Sequence, residues 1–372
     1  MIFFLAFFLS FIITAVFVPF TIRLALKYGL VDDPKIRPHP AHFHKVTIPR
    51  AGGLAIFLGT ISSVLILIPV NSQILGIVVG STILLLMGLI DDKVRTFNPY
   101  LRLMLLFLAG TAAVFSGIGI SFINNPLAHF LSLPEPFNST ILHLDKIVIP
   151  IEFFGSRNII LFADILALLW IVTLTQVINW SKGVDGQMPG ITLITGIILG
   201  LLSFKFYLEG DFNQLNVAKL SFIVAGSSLG FLLFNWYPAK ILPGFSGSTI
   251  LAFLLAVLSI LSGAKIATAS LALAIPLIDF IYTVWRRILS GKSPVWGDRG
   301  HLHHKLLDLG WTPPQISLFY IAGSAILGSV ALFVETQSKF FAILAVAIFF
   351  VIFILWINSF SVLSKQSGPD NG

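Results

Sequence analysis

Two adjacent carboxylates, Asp91 and Asp92, end an apolar run in "GLIDDKVR" (88–95). Acids at the C-terminal end of a helix oppose its macrodipole, and neighbouring carboxylates repel each other, so a cation or a proton has to compensate them. Lys93 and Arg95 supply part of that charge. A divalent metal held by carboxylates and substrate phosphates would supply more; a plain stop signal at a helix end is the competing reading. "VINWSKGVDGQMPG" (177–190) adds Asn179 and Asp185 around Gly183 and Gly186, with Lys182 as a point charge suited to phosphate. "PAKILPGFSGST" (238–249) runs from Lys240 through glycines to Ser246, at what reads as a helix start, where backbone amides favour anions. Its spacing does not support a nucleotide-hydrolysing P-loop. "DRGHLHHKL" (298–306) places Arg299 beside His301, His303 and His304. That set suits a nucleotide diphosphate, or a zinc ion for which no cysteine completes a familiar site.

The elements that must carry these stretches are membrane helices. The 372 residues are 56% hydrophobic and 10% charged, whereas soluble domains carry about 25% charged residues. A bilayer-spanning helix takes about 20 apolar residues. Such runs, some short, lie near 2–26, 51–70, 74–90, 100–120, 159–179, 189–204, 217–236, 248–262, 266–285, 315–334 and 340–359. The expected fold is therefore an all-α polytopic integral membrane protein, a bundle of ten or eleven spans, as one domain over 1–360 with a polar tail at 361–372. Met1–Leu26 reads as a retained first span rather than a cleaved signal, since it lacks a basic leader and a small-residue cleavage site.

Most of the 23 Lys and Arg residues fall in loops on one side if the N-terminus is outside. The expectation is a plasma-membrane protein with its C-terminus and its polar, active-site face in the cytoplasm. The formal charge of +7 sits in those short loops, which points to lipid headgroups or a phosphorylated substrate and away from nucleic acid. The 121–158 loop on the other side has alternating patches, such as "ILHLDKIVIPIEF", suited to a short hairpin. Asp164 and Asp279 are acids within spans; Asp279 is either functional or paired with Arg286 two turns on, and Asp164 is expected to be structural or interfacial. A proton-driven transporter would show inverted repeats and a polar site at mid-membrane, and neither is visible.

Taken together, "GLVDDPKIR…HKVTIPRAGGLAIF", "GLIDDK…NPYLRL", "NWSKGVDG", "PAKILPGFSGS" and "PLIDFIYTVWRRILSGKSPVWGDRGHLHHKLLDLGW" resemble, in order and spacing, the polyprenyl-phosphate N-acetylhexosamine-1-phosphate transferases, the MraY/WecA-like superfamily. The resemblance covers about residues 20–315. It implies that a lipid phosphate attacks the β-phosphate of a UDP-sugar with Mg²⁺ (or Mn²⁺) assistance, giving lipid-diphosphate-sugar and UMP. It also implies roles. Asp91 and Asp92 would act as base or orienter and beside the metal. Asp92, Asn179 and Asp185 would be candidate metal ligands, and Lys45, Arg102, Lys182, Lys240, Ser246, Arg299, His301, His303 and His304 would contact substrate phosphate or nucleotide. The partners implied are a polyprenyl phosphate, a UDP-sugar and the bilayer, with a homodimer left open.

Two positions depart from the family pattern. Phe245 stands for the Asp of Gly-Asp-Ser-Gly-Ser, and Lys182 for the first Asp of Asp-Gly-x-Asp-Gly. Both remove negative charge and the second adds a positive one, which favours phosphate and weakens metal binding. A lipid-phosphate-binding or transport protein with impaired catalysis is the alternative these two residues support. The Asp-Arg-Gly-His-Leu-His-His loop resembles the branch that uses UDP-N-acetylglucosamine or related hexosamines, with the choice among hexosamines open; the muramoyl-pentapeptide branch has three consecutive histidines followed by Phe-Glu.

Overall fold

The computed structural model describes residues 1–33, 46–94, 97–126, 128, 134, 138–151, 157–263, 265–294, 296 and 298–366. Lys45 lies outside them. In chain order the elements are α1 (Ile2–Tyr28), β1 (Val31–Asp32), β2 (Ile48–Pro49), α2 (Gly53–Leu67), α3 (Ser72–Lys93), α4 (Pro99–Phe115), β3 (Phe122–Asn124), β4 (Ile141–His143), β5 (Val148–Ile151), β6 (Arg157–Ile160), α5 (Leu161–Trp180), α6 (Gln187–Leu208), α7 (Gln214–Asn235), α8 (Gly244–Leu261), α9 (Ile266–Ala272), α10 (Ala274–Leu289), α11 (Leu302–Asp308), α12 (Pro313–Phe333) and α13 (Thr336–Gln366).

Every expected apolar run is helical, and the protein is an all-α, multi-pass membrane protein. The apolar helices differ in length. Among the described residues eight helices are long and apolar enough to cross a bilayer, or nine when one bent pair is counted as a single span, and α2 and α4 are two shorter apolar helices beside them. The run near 266–285 is that pair: α9 and α10 meet at 86°. Pro276 sits in the first turn of α10, where its missing N–H costs least. Helix α2 has 15 residues and α4 has 17. At about 1.5 Å per residue both fall short of a hydrocarbon core about 30 Å thick.

Helix α8 is the axis of the bundle, buried at every residue from Gly244 to Ile260. Helices α2, α3, α5 and α7 pack directly on it. Glycine lets α3 come close: a methyl group on Gly88 would stand 2.2 Å from Ser246 Cα and 2.5 Å from Ser246 N. The C-terminal end of α3 is thereby held against the N-terminal end of α8. Helix α10 turns Asp279, Thr283 and Arg287 inward and leaves Ile281, Trp285, Ile288 and Leu289 exposed, an apolar stripe suited to lipid.

Among the described residues three two-stranded antiparallel ladders complete the fold. In β1–β2, Val31 pairs with Pro49 and Asp32 with Ile48, which brings Arg50 to the α3–α8 contact. The Leu242 amide donates to Pro49 O at 2.8 Å, fixing the α7–α8 connection to the same place. The single hairpin expected within 121–158 is instead two ladders, β3–β4 and β5–β6. The strands inside "ILHLDKIVIPIEF" pair outward to 122–124 and 157–160 rather than with each other. Asp164 Oδ2 accepts the Ile160 amide at 3.1 Å, so it caps the start of α5 as a structural acid.

Candidate active site

The carboxylates that looked misplaced at the end of α3 are compensated from a distant part of the chain. Asp92 is fully buried. Its Oδ1 accepts from the Phe245 amide at 2.7 Å and from Arg50 Nε at 3.0 Å. Its Oδ2 accepts from the Ser246 hydroxyl at 2.7 Å and the Ser246 amide at 3.3 Å. Asp92 therefore opposes the dipole of its own helix but sits at the positive end of α8, and Arg50 adds a full charge. Asp91, also buried, accepts from Arg102 Nε through Oδ1. Its Oδ2 lies 3.7 Å from Arg50 Nη2 and has no hydrogen-bond partner among the described residues. Arg50 Nη1 also lies 3.6 Å from Asp32. Burial opposes the Arg50 charge, and Asp92, Asp32 and Asp91 outweigh it, holding the guanidinium above its ordinary pKa.

The α5–α6 loop closes over this pair. Lys182 Nζ donates to Asn179 Oδ1 at 2.8 Å, and to Gly244 O and Ser248 Oγ at 3.1 Å each. Ser248 Oγ also lies 2.7 Å from Asn179 Oδ1. Burial and then Arg50 pull the Lys182 pKa down to about 7, with Asp92 and Asp91 pulling the other way. The loop is itself anchored: Asn235 Oδ1 accepts the Gly186 amide at 3.0 Å and Asn235 Nδ2 donates to Ile241 O at 2.8 Å. Asp185 Oδ2 accepts the Ala239 amide at 3.0 Å, and the Asp185 carbonyl accepts the Ser317 hydroxyl at 2.6 Å. Lys240 is exposed on the same connection.

The histidine loop docks beside Lys182. A methyl group on Gly183 would meet His303 Nε2 at 1.9 Å, so only glycine admits the ring. His301 Nδ1 donates to Asp279 Oδ2 at 3.0 Å, and Asp279 Oδ1 accepts the Leu302 amide at 2.8 Å. Asp279 is thus a partner of His301, and Arg286 binds Asp298 at 2.7 Å instead. Arg299 is exposed and donates to Asp308 at 2.9 Å. Burial works against the Asp298 carboxylate, but bonds from Arg287 and the Gly300 amide, with the Arg287 and Arg286 charges, bring its pKa down to about 2. His303 and His304 are buried, and each has an Nδ1 without a hydrogen-bond partner among the described residues.

That burial gives a pH prediction. Burial first, then neighbouring charges, lowers His304 to about 4 and His303 well below its usual 6.5. The folded loop resists protonation that the unfolded chain accepts, so the stability it contributes is complete above about pH 6.5 and is lost as pH falls toward about 4. Thermal melts in detergent should show a lower Tm at pH 5 than at pH 7. A His303→Gln, His304→Gln variant should narrow that gap; an unchanged gap would contradict buried neutral rings.

Among the expected site residues, Asp91, Asp92, Asn179, Lys182, Arg102 and Ser246 meet at one end of the bundle, and His303 joins them through Gly183. Arg50 and Ser248 belong there too, although the sequence did not single them out. Arg50 in "TIPRAGG" reads as one more basic residue at a span end. The side chains do not fit Mg²⁺, which asks for near-octahedral oxygen ligation. Asp92 and Asn179 each accept bonds that use the oxygens a metal would take, and Asp185 is turned to the Ala239 amide. Among the described residues no group of three or more His, Cys, Asp or Glu side chains is placed to hold a metal ion.

Residues 74–263 match the family described as glycosyl transferase family 4. Over 313 residues the chain is 30% identical to the probable undecaprenyl-phosphate N-acetylglucosaminyl 1-phosphate transferase of Bacillus subtilis (strain 168), covering 82% of this chain and 77% of that protein. It is 27% identical over 315 residues to the decaprenyl-phosphate N-acetylglucosaminephosphotransferase of Mycolicibacterium smegmatis, covering 77% and 71% respectively. It is 28% identical over 349 residues to the undecaprenyl-phosphate alpha-N-acetylglucosaminyl 1-phosphate transferase of Haemophilus influenzae, covering 90% and 88%. The matched segment contains Asp91, Asp92, Arg102, Asn179, Lys182, Asp185 and the start of α8, so it builds most of the site, with Arg50 and His303 outside it, and the chain belongs to glycosyl transferase family 4.

Proposed function

We propose that this protein transfers N-acetylglucosamine 1-phosphate, or a closely related hexosamine 1-phosphate, from its UDP-sugar to a polyprenyl phosphate. One observation carries the reading. A buried carboxylate with a vacant acceptor, Asp91 Oδ2, stands among Arg50, Arg102 and Lys182 at a single end of a membrane bundle. The attacking oxygen of the lipid phosphate forms a bond to the β-phosphorus. The bond from that phosphorus to the α–β bridging oxygen breaks, and its electron pair leaves with UMP. The products are polyprenyl-diphosphate-sugar and UMP. Asp91 Oδ2 is placed to take or orient the acceptor's proton, and the three cations offset charge that grows in the transition state. The His301–Asp279 pair and the unpartnered ring nitrogens of His303 and His304 suit the donor nucleotide. The same reading puts this end of the bundle in the cytoplasm with the N-terminus outside, since the loops there are the basic ones.

Purified protein in lipid with polyprenyl phosphate should exchange radiolabelled UMP into UDP-N-acetylglucosamine. Absence of exchange with every UDP-hexosamine tried would favour a lipid-phosphate-binding protein without transferase activity. His303→Ala should raise KM for the UDP-sugar by about tenfold and leave KM for the lipid near its original value. Equal effects on both would make the loop a structural element.

A further inference from the structure

Lys182 enters a cradle of three oxygens, Asn179 Oδ1, Gly244 O and Ser248 Oγ. Two of these are carbonyl oxygens that can only accept, and an ammonium carries three N–H donors for the three positions. The same nitrogen stands 5.3 Å from the centre of the Phe245 ring, and Arg102 Cζ stands 5.4 Å from it. A neutral aromatic ring attracts both cations and offers a metal no ligand. Around it three carboxylates, Asp32, Asp91 and Asp92, face three basic side chains, Arg50, Arg102 and Lys182. With Lys182 protonated, as its three oxygen acceptors favour, the formal charge of the cluster is closed without a divalent ion.

We infer that the Lys182 ammonium is the resident cation of this centre, held where a divalent metal would otherwise be required, so that sugar-phosphate transfer proceeds without one. The first half rests on the cradle alone, and the second also rests on the transferase reading. Phe245 and Lys182 act as a unit here. The ring removes a ligand and packs against the cation that stands in for the metal. The ammonium meets the charge that develops on the departing UMP, together with Arg50 and Arg102.

Two measurements test this. The protein in non-ionic detergent is titrated with Mn²⁺, and the unbound ion is read by electron paramagnetic resonance. The unaltered chain is expected to show no saturable site. The double variant Lys182→Asn, Phe245→Asp, which empties the cradle and adds a carboxylate, is expected to gain one. Saturable Mn²⁺ binding by the unaltered chain overturns the proposal whatever the variant does, and a folded double variant that gains no site overturns the assignment of the cradle. UMP exchange is then run in EDTA and again with Mg²⁺ or Mn²⁺. Rates within about twofold of each other support the proposal, and Lys182→Met should lower both by at least about 100-fold. A rate abolished by EDTA and restored by Mg²⁺ overturns it while leaving the transferase reading intact. No exchange under any condition would instead remove the transferase reading, and the Mn²⁺ titration would still decide the cradle.

Discussion

Asp92→Asn is expected to cut transfer by roughly 10²–10³-fold and to lower the Tm. The carboxylate accepts from the Phe245 and Ser246 amides, the Ser246 hydroxyl and Arg50 at once. An asparagine side chain has one acceptor oxygen, so its NH₂ group must face either the Phe245 amide or the Ser246 donors. The Arg50 charge meanwhile loses its nearest partner in a buried setting. Removing one member of a buried pair typically costs about 3–5 kcal/mol. Each 1.4 kcal/mol or so appearing in the barrier is about tenfold in rate. Turnover measured beside thermal melts checks this, and a variant with near-normal rate and Tm would remove Asp92 from the centre.

Gly88→Ala should have a comparable effect through the backbone. The added methyl group would stand 2.2 Å from Ser246 Cα, and a main-chain atom in a helix cannot rotate aside as a flexible side chain can. Helices α3 and α8 must then separate. Overpacking of this kind costs about 1–3 kcal/mol, more where backbone has to move. Because the separation also lengthens every bond between Asp92 and the start of α8, activity should fall further than stability alone accounts for. Turnover at a temperature well below the Tm of the variant separates the two effects. An unchanged Tm together with full turnover would mean that the two helices do not approach as closely as described.

Both effects depend on contacts that the sequence shows only in pieces. The helices themselves are legible, because lipid demands long apolar runs and their ends are marked by charges and glycines. The bend between α9 and α10 is not legible: "LALAIPLID" stays apolar through the break, and a proline in such a run is as compatible with a kinked span as with a new helix start. The acids at 91 and 92 announce a compensating cation without naming it. Phe245, whose amide binds Asp92, lies 153 residues away, so the compensation by α8 exists only once the helices pack. Asp279 shows the limit of helical spacing. Arg286 two turns on is a plausible partner by geometry, yet the chain folds back to present His301 to the acid and Asp298 to the arginine.

Lys182 and Phe245 were legible as departures from the family pattern, but their joint meaning was not. Separately each subtracts a ligand. Packed together, they set the amine in an oxygen cradle with the ring beside it.

The most direct test is the forward reaction. Purified protein in a bilayer is given UDP-N-acetylglucosamine and polyprenyl phosphate, and both products are identified by mass spectrometry. Polyprenyl-diphosphate-N-acetylglucosamine should form with one equivalent of UMP. Release of UDP with a singly phosphorylated lipid product, or no lipid product from any UDP-hexosamine, would contradict attack at the β-phosphorus.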